Sequence, residues 1–299
     1  MTNKKKSFTL YKISKAVANC QNAIRNTQHV CMNQEEEMKK PYLSVVIPAY
    51  TEEKRIGPTL ESIYSYLTQQ AYTWEILVVL DGPDDNTLDV IETFAEDKDH
   101  IRWIDRKVNR GKGYTVRQGM LAAKGEIRLF TDADNSTDLA YFEEMQPFFK
   151  NGAGVVIASR DHKDVETARQ AVPQPFLKRF LGNAGNLFIQ LMVVPGIWDT
   201  RCGFKAFTAE SANKVFAAAR MDGWSYDDEA LALARRYGYE IEKIGVEWND
   251  AEGTHVTKLD YIKNIFEAVR IRWYLMSGIY NRQPAEKIDL SSGTVKHHS

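Results

Sequence analysis

The chain has 299 residues, of which 43% are apolar and 26% charged, and its formal net charge at pH 7 is −1. This is the composition of a globular protein with one large domain or two small ones, and it offers no global attraction for nucleic acid. No apolar run approaches the roughly 18–20 residues of a membrane-crossing helix, and three cysteines without metal-ligand spacing indicate a reduced, intracellular protein.

Residues 1–40 form a basic N-terminal extension. They hold eight Lys or Arg residues against three Asp or Glu residues. Apolar residues recur at helical spacing between Leu10 and Ile24, with polar residues off that line. The pattern predicts either an amphipathic helix on an anionic membrane surface or an extension that is mobile or covered by a partner.

From residue 41 onward, buried strands alternate with amphipathic helices. Short β-branched runs predict strands at 43–48, 75–80, 101–104 and 126–131. Helical periodicity predicts helices at 52–70, 86–97 and 112–124. This alternation indicates an α/β, Rossmann-like fold, with a mostly parallel sheet and helices on both faces.

The second half continues the same pattern less regularly. It predicts strands at 153–159 and 240–246 and helices at 176–193 and 227–237. A long amphipathic helix is predicted at 258–279, with its apolar stripe formed by Ile262, Ile265, Phe266, Val269, Trp273 and Met276. The tail from residue 282 is polar and is expected to be loose. The predicted division is therefore an extension at 1–40, a globular α/β domain at 41–255 and a C-terminal amphipathic helix with its tail at 256–299.

Polar residues follow three of the predicted strands where each strand ends. They are Pro48-Ala49-Tyr50-Thr51-Glu52, Asp81-Gly82 and Asp132-Ala133-Asp134. Because ligands bind at the carboxyl ends of parallel strands, we expect these segments to surround one site. Asp132 and Asp134 suit Mg²⁺ or Mn²⁺, although on its own such a pair is as easily a solvated turn or a helix cap.

Three further groups of charged residues have both a functional and a plain structural interpretation. Gly111-Lys112-Gly113 precedes a helix, where glycines and the helix N-terminus favour an anion, but the spacing is not that of a P-loop. The basic residues of the second half are candidates for an anionic acceptor or are surface charges: Arg160, Arg169, Lys178, Arg179, Arg201 and Lys205. Asp227 to Glu229 open a helix, where acids also complement the helix dipole.

Six segments together carry a family resemblance. They are Ser44 to Tyr50 with Glu52-Glu53, Glu75 to Gly82, Asn109 to Met120, Leu129 to Asp134, Val156 to Arg160, and Gly196 to Thr208. From Ser44 to Gly253 the chain resembles the inverting family 2 glycosyltransferases of the GT-A fold. Within that family it is most similar to the polyprenyl-phosphate sugar transferases, especially the dolichyl-phosphate glucosyltransferases.

The resemblance implies a nucleotide-sugar donor, a divalent cation (Mg²⁺ or Mn²⁺) and inversion at the anomeric carbon. It assigns donor binding to Pro48, Ala49, Tyr50, Glu52, Asp81, Lys112, Arg117, Asp132 and Ala133. It assigns the metal to Asp132 and Asp134, and the acceptor phosphate to Arg179, Arg201 and Lys205. Asp134, Asp227 and Glu229 become the catalytic candidates, the last two in a segment similar to the family's Phe-Asp-x-Glu, with Tyr226 in place of Phe.

The expected reaction is transfer of glucose from UDP-glucose to a polyprenyl (dolichyl) phosphate by a protein held peripherally on the cytoplasmic face of a membrane. Pro83 and Thr51 replace the family's usual Ser and Asn, which leaves the nucleotide base and the sugar open. A transferase of the same fold with a hydroxyl acceptor is the main alternative, and it would need a carboxylate base such as Asp227 or Glu229. A nucleotidyltransferase and a non-catalytic nucleotide-sugar-binding module are the remaining alternatives.

Overall fold

A computed structural model of the chain describes residues 40–170, 185–248, 258–282, 288 and 294–297. The chain divides into two compact units, residues 1–40 and residues 41–299, and every described helix and strand lies in the second. The predicted N-terminal extension lies outside the described residues apart from Lys40. The boundary proposed at residue 255 stays a prediction, because residues 249–257 also lie outside them.

The described part of the chain contains ten strands. They are β1 Leu43–Ala49, β2 Trp74–Asp81, β3 Ile101–Arg106, β4 Ile127–Thr131, β5 Val155–Ser159, β6 Arg169–Gln170, β7 Phe204–Thr208, β8 Ile241–Gly245, β9 Glu247–Trp248 and β10 Thr294–His297. Eight of them form one sheet in the order β10-β3-β2-β1-β4-β7-β5-β8, while β6 and β9 pair separately.

The larger sheet is mostly parallel and has two antiparallel members. Strands β3, β2, β1 and β4 run parallel to one another, and so do β5 and β8. Strand β7 lies between β4 and β5 and runs antiparallel to both, and β10 runs antiparallel to β3 at the edge. The start of β7 is therefore at the same edge as the carboxyl end of β4, where Phe204 is opposite Thr131.

The helices cover both faces of this sheet. They are α1 Ile56–Leu67, α2 Thr87–Ala95, α3 Lys112–Ala122, α4 Phe142–Lys150, α5 at residues 185–192, α6 Ala209–Ala218, α7 Tyr226–Arg236, α8 Lys258–Ser277 and α9 Ile279–Arg282. Neighbouring strand residues belong to opposite core layers: Val45 and Ile47 pack with α1 and α2, and Val46 packs with α3, α6 and α7. A sheet buried on both faces explains why its strands are continuous apolar runs.

The predicted α/β class with a mostly parallel, helix-covered sheet is confirmed. The sequence prediction missed strand β7 and the helices α4 and α6. The expectation of a loose tail was wrong at residues 294–297, which pair with β3. Of the helix predicted at 176–193, residues 176–184 lie outside the described part of the chain and residues 185–192 are helical.

An amphipathic helix ordinarily packs its apolar stripe against the core, but the long C-terminal helix α8 points that stripe away from the core. Its apolar residues Phe266, Trp273 and Met276 face outward, while Ala268 and Ile271 are buried. None of the helices in the described residues is long and apolar enough to cross a membrane.

Candidate active site

The polar segments that follow β1, β2 and β4 are held together by side-chain hydrogen bonds. The Thr51 hydroxyl donates to Asp84 over 2.7 Å, which joins the exits of β1 and β2. The Thr59 hydroxyl of α1 donates to the carbonyl of Ala133 over 2.8 Å, which fixes the loop after β4. The two contacts tie the strand exits into one polar edge, as the parallel topology predicts.

Asp81 at the end of β2 holds the glycine-rich segment in place. Its carboxylate is buried, is paired with Arg106, and accepts the N–H groups of Arg110 (2.8 Å) and Gly111 (2.9 Å). Gly111 has a φ of +98°, a conformation that side-chain-bearing residues rarely adopt. The carboxylate thus orients the backbone that starts helix α3, and its predicted contact with a nucleotide base stays a prediction.

Lys112 and Asp132 form the central ion pair of this edge. The Lys112 ammonium lies 2.6 Å from Oδ1 of Asp132 and 5.4 Å from the ring centroid of Trp224. Burial by itself lowers the pKa of Lys112, but the carboxylates of Asp132, Asp227 and Asp134 raise it above its ordinary value. The first turn of α3 therefore presents a firmly protonated ammonium at the end of β4.

The carboxylate of Asp132 packs directly against Gly203. A Cβ atom built on Gly203 would lie 2.6 Å from Oδ1 of Asp132 and closer still to its Cγ and Oδ2. The antiparallel strand β7 produces this contact, because its first residue, Phe204, pairs with Thr131 next to Asp132. Residue 203 must lack a side chain for Asp132 to keep this position.

Asp134 lies half-buried two residues further along, and its Oδ1 accepts the Ser136 hydroxyl over 2.6 Å. Among the described residues, no group of three or more His, Cys, Asp or Glu side chains is placed to hold a metal ion by itself. A Mg²⁺ or Mn²⁺ ion bound mainly by substrate phosphates and water needs only one or two carboxylates, so Asp132 and Asp134 fit such an ion. The Lys112 ammonium now pairs with Asp132 where the cation would bind.

Lys205 and Asp227 form a second, fully buried ion pair. The Lys205 ammonium lies 2.6 Å from Oδ1 of Asp227 and also donates to the Cys202 carbonyl. Burial raises the pKa of Asp227, while Lys205 and Lys112 act in the opposite direction without cancelling it. Because Lys205 has no exposed surface, it reaches an acceptor only if this part of the structure opens.

Two arginines of the second half are also paired. Arg201 is partly exposed, and its guanidinium lies 3.3 Å from Oδ2 of Asp228, whose Oδ1 accepts the Thr200 hydroxyl over 2.6 Å. Arg160 makes a two-pronged contact with Asp199, with both nitrogen–oxygen distances at 2.8 Å. Burial alone would raise the pKa of Asp199, but Arg160 lowers it to about 2.

Glu229 lies in the protein interior, where three donors reach its carboxylate. Oε2 accepts the N–H groups of Arg220 and Met221, both over 2.8 Å, and Oε1 accepts the Tyr280 hydroxyl over 2.7 Å. Burial raises the pKa of Glu229 despite these bonds. This arrangement makes Glu229 an anchor for residues 219–222.

Arg117 holds the same segment from helix α3. Its guanidinium donates to the Ala219 carbonyl and lies 3.2 Å from the carboxylate of Asp222. The carbonyl of Asp222 in turn accepts the N–H of Gly113 over 2.9 Å. Arg117 is buried, so it supports the turn that begins α3 from behind.

The structure thus brings some predicted site residues together and separates others. Lys112, Asp132, Ala133, Asp134, Asp227 and Lys205 form one linked cluster, as the contacts and electrostatic couplings above describe. Tyr50 is exposed at the end of β1, Pro48 and Ala49 are buried within that strand, and Glu52 pairs with Arg55 over 2.7 Å. Arg179 lies outside the described residues.

The sequence prediction missed Gly203 as the packing partner of Asp132, and it missed Asp199 and Asp228 as the partners of Arg160 and Arg201. Gly203 lies in a segment that carries the family resemblance, between Arg201 and Lys205, but its role depends on the register of β7, which was not predicted. The ion pairs join residues more than 25 positions apart, so no local spacing pattern signals them.

Comparison with known proteins agrees with this geometry. The profile of the glycosyl transferase family 2 matches residues 44–216. The chain is 36% identical over 249 residues to a dolichyl-phosphate beta-glucosyltransferase of Trichomonas vaginalis, covering 80% of this chain and 73% of that protein. It is 30% identical over 262 residues to the Homo sapiens dolichyl-phosphate beta-glucosyltransferase, covering 83% and 80%.

Solved structures share the fold at low sequence identity. Mannosyl-3-phosphoglycerate synthase from Rubrobacter xylanophilus superposes with a TM-score of 0.57 at 16% identity, covering 87% of this chain and 82% of that one. Glucosyl-3-phosphoglycerate synthase from Mycobacterium tuberculosis, crystallised with Mn²⁺, UDP-glucose and phosphoglyceric acid, gives 0.55 at 17% identity, covering 87% and 88%.

The sheet topology and the acidic edge next to a glycine-rich helix start define a glycosyltransferase with the GT-A fold. The chain belongs to glycosyl transferase family 2.

Proposed function

We propose that this protein transfers glucose from UDP-glucose to a dolichyl or related polyprenyl phosphate, with inversion at the anomeric carbon. The names of its relatives support the sugar and the acceptor. The UDP-glucose and Mn²⁺ complexes of the Mycobacterium tuberculosis enzyme support the donor and the metal, through a shared fold only. The observation that carries the proposal is the Lys112–Asp132 pair beside Gly203.

That pair suits the diphosphate of a nucleotide sugar. A helix N-terminus and an ammonium both attract phosphate oxygens, and Lys112 supplies both at one position. When bound at Asp132 and Asp134, Mg²⁺ or Mn²⁺ would neutralise negative charge on the departing diphosphate. Lys112 would then turn from Asp132 to the phosphates, a movement that a flexible lysine side chain permits.

The arrangement of the acids favours a phosphate acceptor over a hydroxyl acceptor. In the proposed step an acceptor phosphate oxygen forms the new bond to the anomeric carbon as the bond to the UDP oxygen breaks. A phosphate is already anionic at neutral pH, so no base is required. Both candidates for a base are occupied, Asp227 by Lys205 and Glu229 by three donors.

The test is transfer by purified full-length protein with UDP-glucose, other UDP- and GDP-sugars, and a short polyprenyl phosphate. We expect release of UDP from UDP-glucose that depends on the lipid phosphate and on Mg²⁺ or Mn²⁺, and that stops with EDTA. Asp132→Asn should lower the rate by about 100-fold or more, while Asp97→Asn, at an exposed carboxylate remote from these contacts, should not.

Two outcomes would change the proposal. A rate of UDP-glucose turnover that does not depend on the lipid phosphate would favour a transferase with a hydroxyl acceptor. An Asp132→Asn variant with undiminished transfer would remove the metal and diphosphate role of this edge.

We also propose a peripheral location on the cytoplasmic face of a membrane, where a lipid-linked acceptor and a water-soluble donor meet.

A further inference from the structure

Helix α8 presents a face of one chemical character to the outside. Over residues 263–277 the exposed side chains are Lys263, Ile265, Phe266, Val269, Arg270, Arg272, Trp273 and Met276. Five of these are apolar, three are basic and none is acidic. Phe266 and Met276 are 70% and 73% exposed, which is unusual for such large apolar side chains when they occur together.

Contacts on the opposite face fix this orientation. Ala268 and Ile271 are fully buried in the core layer that also contains α3 and α7. Glu267, the acidic residue of this stretch, accepts the N–H of Ser225 over 3.3 Å. The Tyr280 hydroxyl, just beyond the helix, binds Glu229. Turning the apolar stripe inward would break all of these contacts, so they hold the stripe on the outside of the described structure.

The charge of the outward face of α8 indicates which kind of partner would cover it. A second copy of the same face would bring two sets of three cations together, which is unfavourable. The N-terminal extension, residues 1–40, holds eight Lys or Arg residues against three Glu residues, so its net positive charge does not complement the face either. An anionic lipid surface matches both components, because apolar side chains enter the acyl boundary while arginine and lysine reach the phosphates. Tryptophan also favours that boundary.

We propose that the outward face of α8 docks the protein on an anionic bilayer surface, with Phe266, Trp273 and Met276 inserted. The proposal stands on this face alone and does not depend on which sugar or acceptor the enzyme uses. It goes beyond the proposed reaction by assigning the docking surface to a defined helix.

The test is co-sedimentation of the full-length protein with vesicles of phosphatidylcholine, with or without phosphatidylserine. We expect binding that requires phosphatidylserine and is accompanied by a blue shift of tryptophan emission. The triple variant Phe266→Ser, Trp273→Ser, Met276→Ser should bind about tenfold more weakly or worse, and Arg272→Gln roughly fivefold more weakly. Val108→Ser, at an apolar residue exposed elsewhere, is the matched control and should bind like wild type.

Each result has a defined meaning. Unchanged vesicle binding by the triple variant would overturn the proposal. The binding would then come from another part of the chain, such as residues 1–39, which remain intact in that variant. A third outcome is that wild type forms a dimer and does not bind vesicles, while the triple variant is a monomer. That result would assign the face to a second copy of the chain. UDP-glucose turnover by the variants, measured with a short acceptor phosphate in detergent, should match wild type. Failure of turnover in wild type would refute the proposed reaction and leave the vesicle result standing.

Discussion

The position of the Asp132 carboxylate depends on a glycine 71 positions later in the chain. Gly203 provides the space that the carboxylate occupies, and the strand pairing of Thr131 with Phe204 brings the two residues together. An aspartate in an Asp-x-Asp segment is easy to find in a sequence. The residue that keeps it in position is found only once the register of the antiparallel strand is known.

Gly203→Ala should therefore impair transfer with little effect on folding. The new methyl group would push the short Asp132 side chain away from Lys112, and a misplacement of about 1 Å can cost roughly 100-fold in rate. Steady-state kinetics and urea unfolding measure the two effects. Gly185→Ala is the matched control, because a Cβ there meets nothing within 4 Å. Wild-type kinetics for Gly203→Ala would show that this Asp132 position is not the active one.

The Arg160–Asp199 pair should make stability depend on acid pH. Arg160 lowers the pKa of Asp199 to about 2, below its ordinary value of 3.8. A carboxyl whose pKa is lower in the folded state stabilises the fold above its unfolded pKa. That contribution, roughly 2 kcal/mol, is lost as the pH falls from about 4 towards 2.

The measurement is the free energy of unfolding of wild type and Asp199→Asn at several pH values. The variant should be less stable at pH 7, and the gap should narrow at the acid end of the series. The exposed Asp97→Asn variant controls for general loss of a carboxylate. A gap that stays constant down to pH 2 would show that the ion pair is not the source of the difference.

At the scale of elements, α7 and the C-terminal residues jointly support the turn before α3. Glu229 holds the backbone of residues 220 and 221, Tyr280 holds Glu229, and the Asp222 carbonyl accepts the N–H of Gly113. The same buried carboxylate that the sequence offers as a catalytic base is thus used to position Lys112 indirectly.

Glu229→Leu should destabilise the fold by about 2–4 kcal/mol, because the buried N–H groups of Arg220 and Met221 and the Tyr280 hydroxyl all lose their acceptor. Tyr280→Phe removes one buried hydrogen bond and should cost about 1–2 kcal/mol. Urea unfolding gives both values. Tyr239→Phe is a matched control, since its hydroxyl binds Glu210 over 2.9 Å in an exposed position. Equal losses for Tyr280→Phe and Tyr239→Phe would contradict the anchoring role.

The strands and helices of the first half were predictable because their periodicity is clean. Strand β7 was not, since the run Phe204–Thr208 is short and Lys205 interrupts its apolar residues. Lys205 is buried only because Asp227 comes from α7 to pair with it. Helix α6 gave one local signal, the Thr208 side chain that accepts the N–H of Ser211, whereas α4 has Pro147 inside it. The outward orientation of the apolar stripe of α8 likewise depends on contacts between residues far apart in the sequence.

At the scale of the whole molecule, the sheet ends in β10, which pairs along β3 from Arg102 to Asp105. Removing residues 288–299 should expose the edge of β3, and exposed strand edges promote association between chains. We expect increased light scattering on heating and a lower unfolding midpoint than in wild type. Removing only residues 298–299, beyond the strand, should leave both unchanged. Identical behaviour of the two truncations would show that β10 does not protect the edge.

The insertion of β7 between β4 and β5 also constrains how the chain folds as it is made. Strands β4 and β5 leave the ribosome first, but they do not pair with each other. Their edges that pair with β7 stay unpaired until residues 204–208 emerge. At roughly 5–20 residues per second, the 44 residues that separate β5 from β7 take several seconds to synthesise. During that interval one edge of β4 and both edges of β5 have no partner, since β8 is synthesised later still. A nascent chain of this protein is therefore exposed to chaperones and to misassembly until its active site can form.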